Sequence, residues 1–254
     1  MMAEASMEEN SPTRSTVARQ HASGYVLAGG TSSRMGRNKA MLPWRSSAGK
    51  GQTLLAHAVD RLLQVCATTS ICGGAASLQA GNSAQPMATK QTVRFLPDAL
   101  PGTGPLGGVV AALEQTATDW NLFLAVDLPL VPVSFLQSLL ARTATSTGEL
   151  LCVVPLLAGM PQPLCSLLHR SLAPGLRRAL QAGQYKLMLA FRTAVAQTVS
   201  RQPESSPLDL WDIQDVPAPT LLRPEEWFLN VNTPADWEHA QKLAAGESGR
   251  EPTV

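Results

Sequence analysis

The chain has 254 residues, of which 44% are hydrophobic, 15% are charged and only 5% are aromatic. Lys and Arg together number 20 and Asp and Glu 19, so the formal net charge is +1. This balance excludes a protein that binds nucleic acid mainly through its charge, and the apolar content excludes a wholly disordered chain. We expect no membrane span, because the longest apolar stretch, residues 121–133, contains Asp127 and two prolines.

The composition of the two ends predicts tails. Residues 1–22 are polar and have no apolar periodicity, so we expect a flexible N-terminal tail, and residues 247–254 are predicted to form a flexible C-terminal one. The N-terminus lacks the apolar segment of a signal peptide, which predicts a cytoplasmic location. Four cysteines without metal-ligand spacing are interpreted as reduced, buried thiols.

The first predicted strand covers residues 25–28, a short apolar run that ends in Gly29 and Gly30. Thr53 then has the character of a helix N-cap, because leucine, alanine and valine follow it at helical spacing up to residue 63. A weak strand is predicted at residues 70–72. The following segment, residues 75–91, is rich in Ala, Ser, Gln and Gly and is predicted to be a loop.

Strands and helices continue to alternate through the middle of the chain. The predicted strands are residues 93–96, 122–126 and 150–155, and the predicted helices are residues 109–113, 133–142 and 172–182, the last capped by Gly183. Residues 201–226 contain five prolines and several carboxylates, and they are predicted to form an irregular, Pro-rich insertion.

The last predicted elements are a strand at residues 228–232 and a helix that begins after it. Thr233, Pro234 and Asp236 have the spacing of a capping box, with Thr233 at the cap, Pro234 at the first helical position and Asp236 three residues after the cap. The whole pattern predicts an α/β fold: a single Rossmann-like, three-layer domain over residues 23–246, with a mainly parallel sheet and helices on both faces.

In such sheets ligands bind at the carboxyl ends of the strands, and each polar motif of this sequence follows a predicted strand. The first motif, residues 27–42, combines a glycine loop with Arg34 and Lys39. Backbone N–H groups around Gly29 and Gly30 and the two cations can surround phosphate oxygens. The alternative interpretation is a glycine turn with two solvated cations.

Asp127 follows an apolar strand, where an ionised carboxylate is costly to bury unless it is paired. A Mg²⁺ ion would remove this cost, since Mg²⁺ is commonly held by one or two carboxylates together with substrate phosphates. The alternative is that Asp127 caps a helix before the turn at Pro129. Asp98, which follows the preceding strand, is a further candidate binding residue but not a predicted metal ligand, and its alternative role is an Asx-turn after Pro97.

Two further patterns have competing interpretations. Residues 102–107 match GxGxxG, which by itself would support a dinucleotide-binding reductase. We discount that interpretation, because this fingerprint belongs after the first strand and Pro105 removes an N–H group from it. Asn230 and Asn232 lie on one face of the predicted last strand. Their amides, which both donate and accept hydrogen bonds, suit a neutral polar ligand or a phosphate, or instead hold the Thr233 cap.

Taken together, four segments resemble the molybdenum cofactor guanylyltransferase family in content and in order. They are residues 27–42, Pro97-Asp98 with residues 104–108, residues 126–132, and residues 228–237. The resemblance extends over residues 25–243. This sequence departs from the family pattern in two places: Asn38 stands where Asp is usual, and the segment after residue 72 lacks the usual Asn.

The resemblance implies an enzyme that transfers GMP from GTP to the terminal phosphate of molybdenum-molybdopterin and releases pyrophosphate. It implies catalytic roles for Arg34, Lys39 and Asp127, with Mg²⁺ as the cofactor at Asp127. The nucleotide would be bound by Leu27, Ala28, Gly29, Gly30, Lys39, Asp98, Gly104 and Asp127, and molybdopterin would lie towards Asn230 and Asn232.

The expected partners are GTP, molybdenum-molybdopterin, molybdopterin-delivery proteins and apo-molybdoenzymes, with no nucleic acid and no membrane. Two other functions stay open at this point. One is a CTP-dependent molybdopterin cytidylyltransferase, or another nucleotidyltransferase. The other is a nucleotide-binding partner of molybdoenzymes without catalytic activity.

Overall fold

The computed structural model describes residues 22–29, 38–45, 51–73, 93–145, 150–199, 206–213, 216 and 222–247. Its centre is an eight-stranded sheet made of β1 (Ala22–Leu27), β4 (Thr68–Cys72), β5 (Arg94–Leu96), β6 (Trp120–Ala125), β7 (Cys152–Leu157), β8 (Met160–Pro161), β9 (Cys165–His169) and β10 (Leu208–Asp212). Seven of these strands have the order β10-β7-β9-β6-β1-β4-β5, and β8 pairs with β7. A separate antiparallel hairpin is formed by β2 (Pro43–Arg45) and β3 (Gly51–Thr53).

The sheet is mainly parallel, as the alternation of strands and helices predicts. Strands β5, β4, β1 and β6 are parallel neighbours, and β10 is parallel to β7. Strand β9 runs antiparallel to both β6 and β7. The short strand β8 also runs antiparallel to β7. The fold is therefore an α/β fold with two reversed strands, β8 and β9, in a mainly parallel sheet.

The helices cover both faces of this sheet. The longer ones are α1 (Leu54–Val65), α2 (Pro105–Gln115), α3 (Val133–Thr145), α4 (Ala173–Gln181), α5 (Leu187–Thr198) and α7 (Pro234–Glu247), and α6 (Pro224–Trp227) is a single turn. Helix α1 packs against α3, whereas α4 packs against both α2 and α5. Single 3₁₀ turns occur at Lys39–Met41 and Arg170–Leu172.

Local sequence signals explain where several helices begin and end. The Thr53 hydroxyl accepts a hydrogen bond from the Ala56 N–H group at 3.1 Å, as an N-cap does, and the apolar face of α1 is buried. Helix α4 ends at Gln181, and Gly183 follows it with φ +73°, the left-handed conformation predicted for a terminating glycine. The core is apolar, and all four cysteines are free and buried in it.

Two sequence predictions are wrong in the C-terminal part of the chain. Residues 208–212, inside the segment predicted to be irregular, form edge strand β10, because their backbone pairs with β7 in a regular parallel register. Residues 229–232 form no strand, since their backbone joins no ladder of the sheet. Sequence periodicity also missed β9 and α5. Among the described residues, no helix is long and apolar enough to cross a membrane.

Candidate active site

Four parallel strands end at the same level of the sheet, and the candidate site lies at this edge. Leu27 at the end of β1 is opposite both Ala125 and Cys72, and Cys72 is in turn opposite Leu96. The residues that follow these strands therefore come together, although they are far apart in the chain. A small open pocket of about 100 Å³ lies here.

Five of the predicted site residues line this pocket: Leu27, Ala28, Gly29, Lys39 and Asp127. Gly30 and Arg34, which the sequence also assigned to the site, lie outside the described residues. The pocket wall includes Asn38, Pro105 and Leu164, which the sequence did not assign. Leu164 is held at the carboxyl end of β6, where its carbonyl accepts a hydrogen bond from the Ala125 N–H group at 2.8 Å.

Asp127 is the most unusual side chain in the pocket. Its Oδ1 atom is buried and has no hydrogen-bond partner within the described part of the chain. Its Oδ2 atom lies 3.8 Å from Lys39 Nζ. Burial raises the pKa of the Asp127 carboxyl above its usual value, and the neighbouring Lys39 charge opposes that shift. An acceptor that the protein leaves unsatisfied is available to a ligand.

Lys39 stands opposite Asp127 on the 3₁₀ turn Lys39–Met41. The Asn38 side-chain oxygen caps this turn by accepting a hydrogen bond from the Ala40 N–H group at 3.1 Å. A carboxylate can make the same contact. Asn38 therefore caps this turn in the way that the Asp of the family pattern would. The Lys39 ammonium donates to Asn232 Oδ1 at 2.6 Å, across 193 residues of sequence.

Two glycines bring the ends of β1 and β4 into close contact. Gly73 has φ +87°, and a Cβ atom at this position would lie 2.8 Å from both the N and Cα atoms of Gly29. Only glycine fits there without moving the neighbouring backbone. This close contact leaves no room for a side chain at Gly73, and it exposes bare backbone beside the pocket.

Asp98 lies next to these glycines. A Cβ atom built at Gly73 or at Gly108 would lie 3.3 Å from Asp98 Oδ1, and one at Gly29 would lie 3.9 Å from Oδ2. Burial raises the pKa of the Asp98 carboxyl. Gly104 is one element further along, at the N-cap of α2 with φ +66°, and it is exposed while the adjacent Pro105 lines the pocket.

The segment that contains Asn230 and Asn232 reaches the site from the C-terminal side. Instead of forming a strand, it makes one backbone contact with the loop after β6, where the Val231 N–H group donates to the Asp127 carbonyl at 2.9 Å. Neither asparagine is part of the pocket wall: Asn232 contacts Lys39, which does line the pocket, and Asn230 is half-buried. The expectation that both amides share a strand face is therefore wrong.

The loop after Asp127 is fixed by helix α1. His57 Nε2 lies 2.9 Å from the Pro129 carbonyl, and the Arg61 guanidinium donates to the Val131 carbonyl. Burial, assisted by the Arg61 charge, lowers the pKa of His57 to about 3, so its imidazole is neutral at pH 7. Both side chains contact backbone carbonyls of the loop after Asp127, which agrees with a structural role.

The residues present fit a Mg²⁺ ion better than a metal with many protein ligands. Nowhere in the described ranges do three or more His, Cys, Asp or Glu side chains gather as a metal cluster. Asp127 would therefore supply one carboxylate, and its buried, unpartnered Oδ1 is a suitable ligand atom. Mg²⁺ is commonly bound in this way, with phosphate oxygens and water as its remaining ligands.

Comparison with known proteins agrees with this architecture. The family model of the MobA-like NTP transferase domain matches residues 24–198. A probable molybdenum cofactor guanylyltransferase of Bacillus cereus is 27% identical over 227 residues, which is 88% of this chain and 98% of the relative. One of Bacillus mycoides is 26% identical with the same coverage.

Solved structures show the same fold. Molybdopterin-guanine dinucleotide biosynthesis protein A from Archaeoglobus fulgidus superposes with a TM-score of 0.64 at 21% identity, covering 88% of this chain and 99% of that one. The 2-C-methyl-D-erythritol 4-phosphate cytidylyltransferase from Thermus thermophilus has a TM-score of 0.54 at 18% identity, covering 89% and 98%. This fold therefore occurs in proteins named for different bases and acceptors.

Proposed function

This chain belongs to the family of MobA-like NTP transferase domains, and from that premise we propose that it transfers GMP from GTP to the terminal phosphate of molybdenum-molybdopterin. The acceptor and the base are suggested by relatives named molybdenum cofactor guanylyltransferase, which align with 88% of this chain. The products would be the molybdopterin guanine dinucleotide cofactor and pyrophosphate.

In the proposed reaction, an oxygen of the molybdopterin phosphate attacks the α-phosphorus of GTP in line. A new P–O bond forms there, the bond from the α-phosphorus to the bridging oxygen breaks, and pyrophosphate leaves with the electron pair. The attacking phosphate is already ionised near pH 7, so no strong general base is needed. Such transfers depend mainly on positioning and on neutralising charge.

The observation that carries the proposal is the arrangement of Asp127 and Lys39 in one pocket. A buried carboxylate oxygen without a partner in the described structure lies beside an ammonium group, next to the bare backbone of Gly29. Lys39 would bind phosphate oxygens of the nucleotide and stabilise the charge that develops during transfer. Mg²⁺ held by Asp127 would supply further charge neutralisation for the phosphates.

The proposed preference for guanine follows from the relatives named guanylyltransferase, and the backbone at Gly29 offers a surface for the base. A Cβ atom there would be in ordinary contact with its neighbours, at 3.6 Å or more, so the exposed backbone itself forms the surface available to a base. Asp98 borders the same surface. Its carboxylate would accept hydrogen bonds from the nucleotide, and Gly104 would lie along the incoming nucleotide before helix α2.

The test is a turnover assay with GTP, CTP, ATP and UTP in separate reactions, with molybdenum-molybdopterin and Mg²⁺. Pyrophosphate release is measured, and the product is weighed for an added nucleotide. We expect GTP to be used best and the product to gain the mass of GMP. Faster turnover with CTP would replace the guanylyl proposal by a cytidylyl one, because the acceptor would be the same and the base different.

The same assay separates an enzyme from a nucleotide-binding partner of molybdoenzymes. If Asp127→Ala abolishes transfer while the protein stays folded, the catalytic proposal is supported. If wild-type protein binds GTP but transfers nothing, while it still delivers molybdopterin to apo-molybdoenzymes, the catalytic proposal is wrong. We propose the cytoplasm as the site of action, since four free, buried thiols suit a reducing compartment.

A further inference from the structure

The Asp236 carboxylate makes a backbone hydrogen bond that lies outside the capping box of helix α7. In the capping box of α7, the Asp236 N–H group donates to the Thr233 hydroxyl at 3.2 Å, and Asp236 Oδ2 accepts from the Thr233 N–H group at 2.8 Å. The same Oδ2 atom also accepts from the Asn232 N–H group at 3.0 Å. This extra bond fixes the backbone one residue before the cap.

The segment fixed in this way has no strand ladder to hold it. Two consecutive N–H groups, those of Asn232 and Thr233, are held by the Asp236 carboxylate, and the preceding Val231 N–H group is held by the Asp127 carbonyl. Residues 229–232 belong to no helix or strand. These hydrogen bonds therefore fix the position of the Asn232 Cα atom, from which its side chain extends.

Asn232 in turn determines where the Lys39 ammonium lies. Its Oδ1 atom accepts from Lys39 Nζ at 2.6 Å, which is shorter than the 3.8 Å between Lys39 Nζ and Asp127 Oδ2. A lysine side chain has many rotamers, and a hydrogen-bonded partner of fixed position selects among them. The contacts therefore form a continuous series from Asp236 through Asn232 and Lys39 to Asp127.

The Asp236 carboxylate is well suited to begin this series. Hydrogen bonds from the Thr233 hydroxyl and from the Asn232 N–H group, together with the Lys39 charge, hold the pKa of the Asp236 carboxyl below its usual value. It is therefore ionised at neutral pH, and hydrogen bonds to an ionised acceptor are stronger than those between neutral groups.

We propose that Asp236 is a positioning residue, which sets the Lys39 ammonium for the nucleotide phosphates by holding the Asn232 backbone. Asp236 itself would not touch the substrate. This proposal rests on the proposed function for the identity of the phosphates, but its geometry concerns only residues of this chain. Through this series the C-terminal helix α7 would influence the position of Lys39, which lies near the other end of the sequence.

The experiment compares Asp236→Ala with Thr233→Ala. Both variants remove part of the capping box, but Thr233→Ala leaves the bond from the Asn232 N–H group to the Asp236 carboxylate. We expect Asp236→Ala to lower kcat/KM for GTP roughly tenfold to a hundredfold. Thr233→Ala should stay within roughly twofold of wild type, while thermal unfolding records a similar loss of stability for both. Asp236→Asn retains an acceptor oxygen and should recover part of the activity.

A double-mutant cycle with Lys39→Ala identifies the route of the effect, with Mg²⁺-GTP binding by calorimetry as the readout. If Asp236 acts through Lys39, then Asp236→Ala will weaken binding in the wild-type background but not in the Lys39→Ala background. Equal losses in both backgrounds would overturn the proposal, as would equal losses in Asp236→Ala and Thr233→Ala. If wild-type protein transfers no nucleotide, the proposed function fails, while this binding cycle still tests the positioning role.

Discussion

Polar side chains lie at both ends of strands β1 and β6, but the two ends differ in how completely those side chains are hydrogen-bonded. At the amino ends, Ser23 lies opposite both Thr68 and Asn121 in the sheet register. Asn121 is completely buried, and its amide donates to the Asp119 carbonyl at 3.2 Å and to the Leu168 carbonyl at 3.3 Å. Its Oδ1 atom accepts from the Thr116 hydroxyl at 2.6 Å.

At the carboxyl ends of the same strands, the protein leaves its polar groups incompletely paired. Asp127 follows β6, and its Oδ1 atom has no partner in the described structure. Burial raises the pKa of Asp127, and it also raises the pKa of Asp98, which follows strand β5 at the same edge of the sheet. Burial of a polar group therefore does not by itself mark a functional site. The side chains here called the amino-end cluster are linked to one another by hydrogen bonds: Ser23, Thr68, Thr116, Thr118 and Asn121. The neighbouring Thr69 hydroxyl, like Asp127 Oδ1, has no partner among the described residues, but only Asp127 lines the pocket, where an unpaired acceptor would be available to a ligand.

The largest effect is expected from Asp127→Asn, which removes the proposed metal ligand with little change in shape. We expect kcat/KM for nucleotide transfer to fall roughly a thousandfold. Without Mg²⁺, the free energy of unfolding should stay the same or rise by up to about 1 kcal/mol, because a poorly paired buried charge is removed. Steady-state kinetics and urea unfolding measure the two quantities.

Asp119→Asn is the matched control for this change at the other end of the sheet. Asp119 is 60% exposed and pairs with Arg170 at 2.8 Å. Exposed ion pairs of this kind contribute little to stability. The activity of Asp119→Asn should equal that of wild type. A comparable loss in Asp119→Asn would mean that the contrast between the two ends of the sheet has no functional meaning.

Asn121→Ala should have the reverse profile, with a large loss of stability and normal activity per folded molecule. Truncation leaves buried carbonyls and hydroxyls without their partner, which costs roughly 2–4 kcal/mol of unfolding free energy. Urea unfolding measures the loss, and kinetics below the unfolding transition measure the activity. A stable variant with impaired transfer would contradict the structural role of the amino-end cluster.

Thr118→Val tests a smaller part of the same cluster. The Thr118 hydroxyl lies 2.9 Å from Ser23 Oγ and 3.0 Å from the Trp120 carbonyl. Its removal should cost about 1 kcal/mol of unfolding free energy. Thr143→Val is the control, since that hydroxyl donates to the Leu140 carbonyl at 2.9 Å within helix α3. We expect that substitution to cost less than roughly 0.5 kcal/mol of unfolding free energy. Equal costs would show that the cluster has no special stability.

The smallest effect concerns the pH dependence of stability. Because burial raises the pKa of Asp127, the folded chain binds this proton more tightly than the unfolded chain does. The contribution of this carboxyl to the free energy of unfolding is most favourable below the ordinary Asp pKa of 3.8. That contribution is lost as pH rises through the higher pKa of the folded chain.

Asp127→Asn should therefore gain stability relative to wild type as pH rises above the ordinary Asp value, as urea unfolding at a series of pH values would measure. All other titrating groups cancel in this difference. Added Mg²⁺ should stabilise wild type at about pH 7 more than at about pH 4, because protons compete for the carboxylate. A difference between the two proteins that is independent of pH would contradict the inferred burial of the Asp127 charge.

Much of the secondary structure follows from local sequence. The apolar spacing and the Thr53 cap predict helix α1, and the Thr233–Asp236 spacing predicts the cap of α7, because these signals act within one or two turns of the chain. Strand β9 and strand β10 were not predicted. Strand β9 pairs with both β6 and β7, and β10 pairs with β7. These are long-range contacts that no local pattern encodes.

The candidate site divides in the same way. The sequence determined that a glycine loop, Lys39, Asp98 and Asp127 each follow a strand or lie near its end, and that parallel strands would bring them to one edge. It also determined the family resemblance, since the motifs are local. What the sequence could not determine was the behaviour of individual atoms.

Only the tertiary structure decided that Asp127 Oδ1 has no partner among the described residues, that Asn232 rather than Asn230 holds Lys39, and that residues 229–232 are not a strand. The physical reason is that a hydrogen bond depends on positions within a few tenths of an ångström. Between Lys39 and Asn232 those positions are set across 193 residues, by the packing of α7 and the register of the sheet.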